Sequence, residues 1–139
     1  MTAGAPLLLD TDVCVYLLNG RAPGIAARLR QLRLGDVGTT SITAAELRFG
    51  ALNSGRPRAN LERVDAFLGP LVRFPFGDEA ATEFARIRLE LRAAGTPIGT
   101  MDLLIAAIVR ALDATVVTNN QRELARVQGL RLADWSLEH

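Results

Sequence analysis

Apolar positions recur along this chain in two rhythms. Short runs that end at polar boundaries, "PLLLD", "DVGTTS", "LVRFPF", "ATVVT" and "LRLADW", predict five strands. Between them, apolar residues return every three or four positions. That period predicts helices over "DVCVYLLNG", closed by Asn19-Gly20, and over "PGIAARLRQLR", opened by Pro23. It also predicts helices over "TAAELRFGALNS", "PRANLERVDAFLG" and "DEAATEFARIRLELRAAG", the last with an acidic start and a glycine stop. "TMDLLIAAIVRALD" is apolar all round and predicts a buried helix, and "NQRELARV" a short one. Strands alternating with helices imply an α/β fold with a central, mostly parallel sheet covered on both faces. There is no repeat or linker, so residues 1–136 read as one domain.

That topology gives the polar boundaries a meaning. In parallel α/β sheets, ligands gather outside the carboxyl ends of the strands. Asp10 follows the first strand, and Asn119 and Asn120 follow "ATVVT". Glu46 lies on the helix after "DVGTTS", and Asp102 in the first turn of the apolar helix. All can face one edge of the sheet.

Composition removes several chemistries. The chain has 139 residues, a formal charge of +1, one cysteine and one histidine. Cys14 has no partner for an internal disulfide, which fits a reducing cytoplasm. "MTAGAP" lacks the basic-then-apolar pattern of a signal peptide, and no run reaches the length of a membrane span. Leu137, Glu138 and His139 read as an expression-tag remnant, which leaves the rest of the chain without histidine. Histidine general bases and histidine-ligated zinc drop out. All sixteen basic residues are arginine, so a catalytic lysine is excluded as well.

Each acid alone has a plain structural reading. Asp10 or Asp12 suits a helix cap. Thr43 and Glu46 fit a capping box. Asp102 suits a helix start, and Glu123 a solvated helix face. Together they raise a different question. Unit charges repel by about 4 kcal/mol at 4 Å and an effective dielectric of about 20. A dication removes that cost. An all-oxygen donor set without histidine or cysteine suits Mg²⁺ or Mn²⁺, which can activate water at a phosphodiester.

Four stretches carry a resemblance. "LLLDTDVCVYLL", "SITAAELRFGA", "IGTMDLLIAAIVRAL" and "ATVVTNNQRELARVQGLRLADW" resemble, in order and spacing, the motifs of PIN-domain nucleases, and within them the VapC toxins. The resemblance implies a three-layer α/β/α fold and Mg²⁺-dependent cleavage of RNA, tRNA included, with Mn²⁺ able to substitute. Its products would carry 5′-phosphate and 3′-hydroxyl ends. It implies a homodimer, a VapB-type antitoxin as partner, and a cytoplasmic location with no membrane. It places Asp10, Glu46 and Asp102 at the metal. Many PIN nucleases carry a fourth acid where this chain has Asn120, and the nearest acid is Glu123, so either completes the site. Thr11, Asp12 and Thr118 would support these groups from behind.

Two other readings start from the same residues. A haloacid-dehalogenase-type phosphatase also opens with a strand and Asp-x-Asp, as in Asp10-Thr11-Asp12, but usually needs a lysine. A non-catalytic PIN-like RNA-binding module would have lost acids that stand here. Elsewhere, Cys14, Phe74, Phe76 and Trp135 read as packing residues. Arg48 and Arg122 are candidates to hold RNA phosphates.

Overall fold

The computed structural model describes residues 5–135. The tag-like Leu137, Glu138 and His139 lie outside that range. Five strands form one sheet, β1 (Leu7–Leu9), β2 (Val37–Thr40), β3 (Val72–Phe74), β4 (Thr115–Val117) and β5 (Arg131–Ala133). Their spatial order is β3-β2-β1-β4-β5, and every pairing is parallel. The helices are α1 (Thr11–Leu18), α2 (Pro23–Arg30), α3 (Ser41–Leu52), α4 (Pro57–Leu68), α5 (Asp78–Ala94), α6 (Thr100–Ala111) and α7 (Gln121–Leu124).

Successive residues of the central strand point to opposite layers. Leu8 and Val116 join a core formed with α5 and α6, whereas Leu9 and Val117 join one formed with α1, α2, α3 and α4. Helices thus cover both faces, as the uninterrupted "LLL" requires. Gly38 is needed for β2 to approach β3, because a Cβ there would stand 2.5 Å from the Val72 carbonyl oxygen. The apolar helix α6 buries Leu103, Ile105, Ala106, Ala107, Ile108 and Val109. Cys14 is fully buried, and burial pushes its thiol far above the ordinary range. Phe76 packs edge-on against Phe84 with centroids 6.0 Å apart. Trp135 is buried beneath the Arg28 guanidinium, 4.6 Å from its ring centroid.

Three boundaries differ from the sequence reading. Helix α3 starts at Ser41, two residues before the expected Thr43. Its cap is Thr40, whose hydroxyl accepts from the Thr43 amide at 3.1 Å. The Thr43–Glu46 capping box therefore does not form, and Glu46 sits beyond the first turn, free for another use. Strand β3 stops at Phe74, since Pro75 has no N–H for the ladder. Helix α7 is one turn long, with Asn120 as its cap and not its first residue.

Candidate active site

Strands β1 and β2 run straight into helices, and the junction residues are caps. Asp10 caps α1 and Thr40 caps α3. Three residues after β4, Asn120 caps α7. Because the sheet is parallel, these caps lie at one edge, with the N-termini of three helices. Gly99 and Thr100 bring the start of α6 to the same place.

A cavity of about 370 Å³ opens there, and Asp10, Asp12, Glu46, Asp102 and Asn120 are among its lining residues, with Thr11. Asp10 is 4% exposed. Its Oδ1 accepts from the Val13 amide at 3.0 Å, and its Oδ2 accepts from the Thr118 hydroxyl. Burial pushes its pKa up to about 6, against those two hydrogen bonds; the Asp12 and Glu46 charges push the same way. Asp10 is thus a helix cap and a member of the acidic cluster at once. A cap alone would not leave a carboxylate buried beside two others.

The fully buried Thr118 links two parts of the site. Its oxygen also accepts from the Asn120 amide at 2.8 Å. The Asn120 side chain donates to Asp102 Oδ2 at 3.2 Å and accepts from the Glu123 amide at 3.4 Å. Burial, and then the hydrogen-bonded neighbour Glu123, push Asp102 up to about 7. Glu123 is held below its ordinary value, chiefly by that shared hydrogen bond with Asp102 and also by the Gly99 amide. Between them the two carboxyls hold a proton more readily than ordinary carboxylates do. Asn120 and Glu123 therefore both reach Asp102, but the amide of Asn120 is already engaged.

Glu46 is held from the other side. The Thr11 hydroxyl donates to Glu46 Oε1 at 2.7 Å and lies 3.1 Å from the Thr43 hydroxyl. Thr43 in turn contacts the Thr40 hydroxyl at 3.4 Å. Thr40 was not singled out in the sequence, and Thr43 only as the start of a capping box. The signal was the threonine-rich "TTSIT" at a strand-to-helix junction, where hydroxyls replace missing backbone partners. Arg48 pairs with Asp65 at 3.3 Å, both exposed, so its charge is engaged away from the acids. Arg122 is exposed beside Glu123, with no hydrogen-bond or ion-pair partner among the described residues.

Among the described residues no three Asp, Glu, His or Cys side chains converge tightly enough to enclose a metal ion as they stand. The donors fit a hydrated dication nonetheless. They are all oxygen, they share a cavity with room for water, and no arginine lines that cavity among the described residues. Mg²⁺ keeps several of its waters and needs only one or two direct carboxylates.

A family model described as the PIN domain matches residues 7–130. The chain is 36% identical over 129 residues to the tRNA(fMet)-specific endonuclease VapC of Shigella flexneri, covering 93% of this chain and 97% of that one. It is 35% identical over 129 residues to ribonuclease VapC2 of Rickettsia felis, covering 92% and 96%. Among solved structures it is similar to a chain of DNA-bound VapBC from Salmonella typhimurium, with a TM-score of 0.90 and 34% identity, covering 95% of this chain and 99% of that one. VapBC2 from Rickettsia felis bound to a promoter DNA fragment gives a TM-score of 0.88 at 34% identity, covering 93% and 98%.

Proposed function

The chain belongs to the PIN domain family and is a ribonuclease of the VapC type, and from that premise we propose that it hydrolyses RNA with a Mg²⁺ ion at Asp10, Glu46 and Asp102. The observation that carries this reading is the shared cavity. Those three acids, far apart in sequence, line one space at the carboxyl edge of the sheet. When bound, Mg²⁺ (or Mn²⁺ in its place) supplies the charge that acidifies water and neutralises a phosphoryl transition state. The protein's own part is to hold the carboxylates still. The Val13 amide and the Thr118 hydroxyl fix Asp10, Thr11 fixes Glu46, and Asn120 fixes Asp102. Glu123 adds a fourth carboxylate through Asp102, and Asp12 adds negative charge at the cavity wall. Water as the nucleophile needs no ribose 2′-hydroxyl.

The partner is a VapB-type antitoxin. A groove of about 270 Å³ lined by Val15, Leu18, Leu47 and Val64 shares Thr11 and Glu46 with the acidic cavity. An apolar segment seated there would bring a following arginine to the carboxylates, in place of the metal's charge. Phe49 and Leu52, 67% and 59% exposed and one turn apart on α3, support a homodimer as well. The proposed setting is the cytoplasm. Among the described residues no helix is long and apolar enough to cross a membrane. Initiator tRNA is the proposed substrate, on the strength of the Shigella relative's name.

The test is incubation of the purified chain with total RNA in Mg²⁺ or in EDTA, followed by end mapping. Cleavage in Mg²⁺ alone, leaving 5′-phosphate and 3′-hydroxyl ends, is expected. Cyclic phosphate ends or full activity in EDTA would overturn the reading.

A further inference from the structure

A second cavity, of about 480 Å³, adjoins the acidic one and shares Thr100 with it. Its apolar lining includes Phe84, Leu91 and Ile98, and it also carries Arg88 and Arg92, one helical turn apart on α5. Both arginines are exposed, and neither has a hydrogen-bond or ion-pair partner among the described residues. Other arginines nearby are engaged. Arg86 pairs with Glu83, Arg110 with Glu83 and Glu90, and Arg126 donates to the Pro97 carbonyl.

The juxtaposition has a consequence for any polyanion. Four carboxylates line the cavity proposed to cut RNA, and they repel its backbone. Attraction must come from cations beside that cavity. Phosphate contacts by arginine fix the register of a strand, and unstacked bases seek aromatic and apolar surfaces. The second cavity offers both, within the ~300–1,000 Å³ range of small-ligand sites. We propose that it is an RNA subsite that seats one nucleotide next to the cleavage centre, with its base against Phe84 and Ile98 and its flanking phosphates on Arg88 and Arg92. This rests on the ribonuclease reading and assigns that reading a strand path across Thr100.

The test uses binding, so that it stands apart from catalysis. Fluorescein-labelled single-stranded RNA is titrated against Asp10→Asn protein, with and without Arg88→Ala and Arg92→Ala together, over 50–200 mM salt in EDTA. Single strands release about 0.7 counterion per phosphate contact. Loss of two contacts is expected to make the log-log salt slope shallower by about 1.4 and to weaken binding about tenfold at low salt. Arg88→Lys with Arg92→Lys is expected to keep the slope, and inorganic polyphosphate is expected to bind more weakly than RNA. An unchanged slope in the double alanine variant, or polyphosphate binding as tightly as RNA, would overturn the subsite. Cleavage by the wild-type protein is read separately, and its absence would overturn the ribonuclease reading instead.

Discussion

Replacing Asp10 with asparagine should cut RNA hydrolysis by about a thousandfold and yet raise the melting temperature of the metal-free protein. The first effect follows from losing a full negative charge at the proposed metal. A bound metal contributes several kcal/mol to the transition state, and each tenfold in rate is about 1.4 kcal/mol. The second follows from where the carboxyl sits. Its pKa is raised from 3.8 to about 6 by burial. The folded state then binds the proton more tightly than the unfolded chain, so stability falls as pH rises between about 4 and 6 and stays low above that. The shift corresponds to about 3 kcal/mol at neutral pH. Asparagine removes the charge and can still accept from Val13, but it takes the acceptor from the Thr118 hydroxyl. The expected net gain is about 1–2 kcal/mol, or about 3–6 °C. Melting curves of both proteins in EDTA at pH 5 and pH 7.5 check this. The gap between them should be wide at pH 7.5 and narrow at pH 5. An equal gap at both would assign the gain to something other than the buried charge.

The opening stretch of the chain shows why so much of this was legible. "LLL" could only be a strand buried on both faces, and a strand that ends in Asp10 delivers a carboxylate to the sheet edge with no loop to blur its position. The same logic brought Asp102 to that edge, since it stands in the first turn of α6, whereas Glu46 lies beyond the first turn of α3. What the sequence could not separate was capping from chemistry. Asp10 caps α1 and also stands in the acidic cavity, while the capping box written in Thr43 and Glu46 is absent, because Thr40 started the helix earlier. The hydroxyl contacts among Thr40, Thr43, Thr11 and Glu46 join two helices and a strand end. They depend on tertiary packing and have no local period. The pairing of Arg48 with Asp65 was illegible for the same reason, since Asp65 lies on the next helix.

Glu123→Gln is expected to weaken Mg²⁺ binding by about tenfold or more, the lower end of what metal-site neighbours contribute. Asn120→Ala should do less to the metal and more to the fold. The asparagine side chain is already spent on Asp102 and on the Glu123 amide, so its loss uncaps α7 at a cost of about 1 kcal/mol. Glu123, by contrast, brings a charged carboxylate to Asp102. Asn120→Asp in the Glu123→Gln background should recover part of the affinity, since both positions face Asp102. Calorimetric titration with Mg²⁺, paired with cleavage rates over metal concentration, separates lost affinity from lost chemistry. If Glu123→Gln matches the parent at limiting metal, Glu123 is a surface residue and the site rests on Asp10, Glu46 and Asp102.

If Asp10, Glu46 and Asp102 hold the ion, Mn²⁺ makes it directly visible. A crystal of the protein soaked in Mn²⁺ and measured at the manganese absorption edge should give an anomalous peak in the cavity between Asp10, Glu46 and Asp102, and the peak should vanish in Asp10→Asn. A well-occupied peak elsewhere with none in that cavity, or an undiminished peak in Asp10→Asn, would contradict the account.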